Sequence, residues 1–180
     1  MHMARRKRFD VRSIPREQQG LVLALLLFWS ILSYLFITHF ILGSVEVLGN
    51  SMSPTLTDGS VMLINRLAYR FRDPRRFDIV AVKLARYEDL TVKRVVALPL
   101  ERVQLMNGRL LVNGRPLAEP YLGLPTWTAS AALSNAIYEV APDCYFLMGD
   151  NRTDSADSRV FGAVRRDAIV GRVMRHASLF

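Results

Sequence analysis

With 180 residues, 51% of them apolar, the chain is the size of one domain with an appendage and has enough hydrophobic material for a real core. Half of its formal charge of +8 lies before Gly20, where Arg5, Arg6, Lys7, Arg8, Arg12 and Arg16 face only Asp10 and Glu17; this block abuts an apolar run, so it reads as a membrane orientation signal and not as a nucleic-acid arm. The single cysteine, Cys144, excludes an intramolecular disulfide and a cysteine-based zinc site.

From Leu21 to Leu42 the sequence is Leu, Ile, Val, Phe, Trp, Tyr and Ala, interrupted only by Ser30, Ser33, Thr38 and His39. As a helix it spans roughly 30 Å, the thickness of a bilayer's hydrocarbon core. The apolar part of a cleaved signal peptide is about 7 to 15 residues, so this longer run predicts a retained anchor. The basic block then stays cytoplasmic and everything after it faces the other side. The expected organisation is a basic cytoplasmic segment over 1–20, a single transmembrane helix over 21–42 and an extracytoplasmic β-rich domain over 43–180.

Beyond the anchor the apolar runs become short and alternating. Val45 to Leu48, Val61 to Asn65, Asp78 to Leu84 and Leu90 to Leu98 are rich in Val and Ile and bounded by Gly, Pro, Asp or Asn, as strands are. Arg102 to Met106, Asn107-Gly108, Arg109 to Val112, Asn113-Gly114 and Arg115 onward form a meander with two tight-turn dipeptides. Glu119 to Ala141, with Pro120, Pro125 and a Ser/Thr/Ala run, reads as a long loop. Tyr145 to Met148 and Ile169 to Met174 add two strands. The fold class is mainly β, a compact barrel-like or coiled sheet on one N-terminal helix.

Three stretches carry candidate chemistry. In Gly49-Asn50-Ser51-Met52-Ser53-Pro54-Thr55-Leu56 a hydroxyl follows residues that tolerate tight backbone, and Pro54 stiffens what comes after; an ordinary turn reads the same way. A serine needs a base to become a nucleophile, and His2, His39 and His176 are all badly placed. Lys93 lies in the apolar strand Leu90 to Leu98. On its buried face the amine is desolvated and its pKa falls, so it can take a proton; on an exposed edge Lys93 and Arg94 are merely solvated. The third stretch, Gly149 to Arg159, packs short hydrogen-bonding groups between a hydrophobic strand and Val160-Phe161-Gly162, as a supporting shell does.

Together these stretches resemble type I signal peptidases, the membrane-bound serine proteases that remove signal peptides from exported proteins. The likeness rests on Ser51-Met52-x-Pro54-Thr55-Leu56 after a single anchor, Lys93-Arg94-Val95-Val96 in a strand, and Gly149-Asp150-Asn151-Arg152-x-x-Ser155-x-Asp157-Ser158-Arg159, in that order. The resemblance implies Ser51 as nucleophile and Lys93 as general base and acid. It further implies that Ser155 orients the lysine amine, that Asp157 and Arg159 pair behind it, and that Gly149 lets the backbone approach closely. The oxyanion hole uses the Ser51 N–H, and Gly49 stands where some relatives add a serine hydroxyl. Phe77 occupies a position where many members have Gly, and so do two residues of Ala97-Leu98-Pro99-Leu100-Glu101; both put local turn geometry in question.

The resemblance also implies an extended substrate beside Val45 to Leu48 and Leu90 to Val92, with Val45, Val47, Leu90 and Val92 as contacts, and no metal or cofactor. Its partners are preprotein signal peptides, the lipid bilayer of the cell membrane and the export translocon, with no nucleic acid. Ser51 is nine residues beyond Leu42, hence within about 30 Å of the membrane boundary. The alternatives are a related serine–lysine peptidase acting on other membrane-inserted precursors and a catalytically inert membrane-tethered binding module.

Overall fold

The computed structural model describes residues 15–37, 42–85, 89–106, 108–122 and 136–174. The chain divides into two units, Met1–His39 and Phe40–Phe180. In the first, helix α1 runs Arg16–Phe36, directly after Pro15, whose fixed φ suits a helix start. Leu21, Leu25, Phe28, Trp29, Leu32 and Leu35 are all exposed. Apolar on every side, the helix is long enough to cross a membrane. It starts five residues ahead of the apolar run, while Leu42, assigned above to the same helix, opens the first strand. His39 lies outside the described residues, as do His2 and His176.

The second unit is mainly β. Its strands are β1 (Leu42–Glu46), β2 (Val61–Asn65), β3 (Ile79–Val82), β4 (Thr91–Ala97), β5 (Arg102–Met106), β6 (Arg109–Val112), β7 (Arg115–Pro116), β8 (Ile137–Glu139), β9 (Cys144–Met148), β10 (Val164–Arg165) and β11 (Ile169–Met174). Between β9 and β10 stands one helical turn, α2 (Ser158–Phe161). A seven-stranded antiparallel sheet has the order β1-β2-β11-β3-β4-β9-β10, and a four-stranded one has the order β7-β6-β5-β8.

Alternation within each strand sorts its side chains into separate cores. Val45, Val47, Met62, Ile64, Ala81, Val92 and Val173 enclose Met52 and Leu56. On the other face Val80, Val82 and Val95 pack with Tyr69, Tyr145 and Leu147. Val103, Leu105, Leu110 and Val112 of the small sheet meet Val96, Phe146 and Met148. β4 therefore sits between cores, and six of its seven residues are buried.

Three local features refine the sequence reading. Asn113 and Gly114 both have positive φ, 51° and 76°, between the paired residues Val112 and Arg115, as a two-residue hairpin turn requires. The stretch expected to be one loop from Glu119 to Ala141 contains β8, which pairs with β5 and packs the Tyr138 ring, tilted, against Phe146 at 4.9 Å. Phe77 and Leu100 adopt φ of 72° and 65°, a left-handed conformation that glycine adopts at lower cost.

Candidate active site

The turn that carries Ser51 is held from both sides. Gly49, at φ 78°, donates its N–H to Asp58 Oδ1 at 2.7 Å, and Ser53 N–H returns to the Asn50 carbonyl at 3.0 Å. Next to Ser51, Met52 is fully buried, and Leu56 is only 5% exposed. Burying side chains of this size stabilises by about 1.5 to 3 kcal/mol each, so the serine is fixed by the residues that plug the first core. The Ser51 carbonyl accepts the Asn151 N–H at 3.0 Å, which ties this turn to the Gly149–Arg159 loop.

Lys93 comes from the doubly covered part of β4 and is 3% exposed. Its Nζ donates to Ser51 Oγ at 2.8 Å. Burial brings the Lys93 ammonium down to about 8; Asp157 and Asp150 oppose the fall and Arg159 adds to it. A substantial fraction of the amine is therefore neutral at mildly alkaline pH, where its lone pair can accept the serine proton.

The third stretch lies behind this pair. Asp157 is fully buried and takes a two-pronged hydrogen bond from Arg159, with Nε to Oδ1 and Nη2 to Oδ2 both at 2.8 Å. The same carboxylate receives the Gly149 N–H at 3.0 Å and the Arg159 N–H at 3.2 Å. A buried pair is stabilising only when its remaining polar atoms are satisfied, and here they are. Gly149 has no room for a side chain: a Cβ there would lie 2.4 Å from the Ser51 carbonyl oxygen and 2.2 Å from Ser155 Oγ. Ser155 Oγ is buried and makes no hydrogen bond among the described residues, so it is close to the pair but not bonded to Lys93.

Val47, Leu90 and Val92 line a cleft of about 210 Å³ that contains Ser51 and Lys93. Val45, expected there too, does not border this cleft, although it shares the first core with Val47 and Val92. Both walls of the cleft have unpaired backbone. β1 is an edge strand of its sheet. β9 ends at Met148 opposite Arg94, so among the described residues Thr91 to Lys93 have no strand beside them on that side.

Two ion pairs are not apparent from the sequence. Arg94 reaches Asp150 with Nε to Oδ1 at 2.8 Å and Nη2 to Oδ2 at 2.5 Å, and it also donates to the Phe77 carbonyl at 3.0 Å. Arg152 grips Glu119 with two bonds of 2.6 and 3.0 Å and donates from Nε to the Gly149 carbonyl at 2.9 Å. The only advance signal was the Asp-Asn-Arg sequence itself, which shows charge but not the partner.

In this mainly β domain a serine hydroxyl lies against a buried lysine amine, a geometry in which an amine can activate a hydroxyl for attack. Residues 20–177 match the family model described as "Signal peptidase, peptidase S26", and the chain belongs to that family. It is 39% identical over 143 residues to signal peptidase I of Bacillus caldolyticus, covering 74% of this chain and 78% of that protein. It is 38% identical over 135 residues to signal peptidase I V of Bacillus subtilis (strain 168), covering 70% and 80% respectively. A crystal structure of a signal peptidase I from Enterococcus faecalis V583 aligns at a TM-score of 0.49 and 30% identity, over 57% of this chain and 98% of its own.

Proposed function

We propose that this peptidase cleaves signal peptides from exported preproteins, with Ser51 as nucleophile and Lys93 as general base. The observation that carries the reading is the 2.8 Å bond between a serine on a fixed turn and a lysine that is 3% exposed. The substrate enters as an extended strand between β1 and the unpaired edge at Thr91 to Lys93, gaining main-chain hydrogen bonds. Val47, Leu90 and Val92 meet its side chains.

Neutral Lys93 accepts the Ser51 proton as Oγ attacks the scissile carbonyl, and the tetrahedral oxyanion forms against the Ser51 N–H. Gly49 cannot assist through its own N–H, which is committed to Asp58. The Lys93 ammonium then gives its proton to the leaving amine, which departs as the new N-terminus of the mature protein. A water, deprotonated by the again neutral Lys93, adds to the acyl-enzyme; collapse of that adduct releases the signal peptide's carboxylate and returns the proton to Ser51. Gly149, Asp157 and Arg159 hold the loop behind the pair, and Ser155, which makes no hydrogen bond among the described residues in the free enzyme, turns its hydroxyl to the amine during the reaction.

In this reading α1 crosses the cell membrane once, with its basic leader in the cytoplasm and the β domain at the outer face. There it meets preproteins delivered by the export translocon. The test uses purified full-length protein in detergent with a preprotein substrate, the product identified by N-terminal sequencing. Ser51→Ala and Lys93→Ala are expected to lose about a thousandfold or more in kcat. Cleavage by either variant at the wild-type rate overturns the dyad, and a product cut elsewhere than at the signal-peptide junction overturns the substrate class.

A further inference from the structure

Glu119, Pro120 and Tyr121 leave the small sheet and return to the site. The Tyr121 ring lies under the Arg94 guanidinium, 4.0 Å from carbon to ring centroid, and 5.9 Å from that of Arg152. Its hydroxyl donates to Glu119 Oε1 at 2.8 Å and accepts from Arg152 at 3.3 Å, and Phe77 packs edge-on against it at 5.6 Å. Glu119 in turn holds Arg152, with both side chains under 10% exposed, at 8% and 3%.

These contacts converge on two neighbours of the reacting pair. Arg94 follows Lys93 in β4, and its fork holds Asp150, the residue after Gly149. Arg152 fixes the Gly149 carbonyl, and Gly149 is packed against the Ser51 carbonyl and Ser155. One three-residue strap thus grips the strand that carries the base and the loop that backs the nucleophile. Packing alone would be served by any apolar side chain over Arg94; a ring between two guanidiniums, with a carboxylate on its hydroxyl, holds both in one orientation.

We propose that Glu119 and Tyr121 are positioning residues of the peptidase, setting the distance between Lys93 and Ser51 through Arg94 and Arg152. The inference rests on the serine–lysine reading above. Glu46 and Asp89 border the cleft that Lys93 opens on, and the charges that act on its amine are Asp157, Asp150 and Arg159; two of these are held by the strap's own partners, Asp150 by Arg94 and Arg159 through its bond to the Arg152 carbonyl at 2.7 Å. Loosening the strap therefore changes the field at the amine as well as its distance from the hydroxyl.

The experiment compares Tyr121→Leu, Tyr121→Phe and Glu119→Gln with wild type in preprotein cleavage, with Ser51→Ala alongside and Tm measured for each. Tyr121→Leu is expected to lower kcat about tenfold with KM within about twofold, and to displace the pH midpoint of kcat. Tyr121→Phe keeps the ring over Arg94 and recovers most of that loss. Glu119→Gln behaves as Tyr121→Leu does, and if it fails to fold, the two Tyr121 variants decide. A Tyr121→Leu enzyme with wild-type kcat and pH midpoint overturns the proposal. So does a loss of kcat that matches only the unfolded fraction and leaves the midpoint in place. Retained cleavage by Ser51→Ala instead overturns the serine–lysine reading, whatever the Tyr121 variants do.

Discussion

Gly149 and Ser51 touch through their backbones: a methyl group on the Gly149 α-carbon would sit 2.4 Å from the Ser51 carbonyl oxygen. Neither chain can yield, because Gly149 is tied to Asp157 and the Ser51 carbonyl to the Asn151 N–H. Gly149→Ala is expected to destabilise the protein by about 1 to 3 kcal/mol, as overpacking does, and to lower kcat at least a hundredfold. Tm and kcat measured on one preparation check this, and a variant with wild-type values for both would show that the two segments separate easily.

On the proposed mechanism the Lys93 amine sets the pH dependence. With the ammonium near 8, the neutral form is scarce at pH 6 and dominant at pH 9 or above. kcat is expected to rise about tenfold per pH unit below the midpoint and to level off above it. A rate profile between pH 6 and 10 tests this; a flat one excludes Lys93 as the group whose deprotonation limits the rate.

Stability carries the same signature with a definite sign. The folded pKa of Lys93 is lowered to about 8 from 10.5, so the unfolded chain binds more protons between those values and stability rises with pH across that window. Below pH 8 the burial penalty is about 3 kcal/mol, the full shift converted at 1.36 kcal/mol per unit. Lys93→Met removes this penalty and leaves the Ser51 hydroxyl without its partner, a loss of about 1 kcal/mol. The variant is expected to be more stable than wild type at pH 7 by about 2 kcal/mol and to lose that advantage by pH 10.5. Denaturant titrations at the two pH values test it, and a constant difference would contradict the linkage.

Leu100 offers a gain remote from the chemistry. It holds a left-handed φ of 65° while 75% exposed, so its side chain contributes little burial to offset the backbone strain. Leu100→Gly is expected to stabilise by about 0.5 to 1 kcal/mol, the relief of that strain less the added freedom of glycine in the unfolded chain. Thermal unfolding measures it, and a fall in Tm would mean that Leu100 has contacts that outweigh its conformation.

Strand order along the chain was legible because Val and Ile alternate with polar residues between clear turn signals, and Lys93 stood out as a cation inside such a run. The pairing of Asp157 with Arg159 was legible for another reason: two residues apart, they needed no knowledge of the fold. Arg94 with Asp150 and Glu119 with Arg152 are 56 and 33 residues apart, and no local pattern marks either pair. β8 was hidden because three residues, Ile137, Tyr138 and Glu139, are too few to show alternation beside a Ser/Ala-rich stretch. Val45 and Val47, two residues apart, share a face and belong to one core, yet only Val47 also borders the cleft, and sequence spacing does not separate them.

β9 stops at Met148, so the sheet is one short strand segment incomplete at Thr91 to Lys93. Open edges invite other chains to pair, and proteins usually blunt them. This one is only three residues long and ends against the Gly149 loop. It is long enough to hold a few residues of an extended peptide across Ser51 and too short to template a second copy of the domain. On the proposed mode of binding, a cut at the middle of so short a pairing leaves each product only one or two main-chain bonds, so the gap that would admit the substrate would also limit how tightly its products are retained.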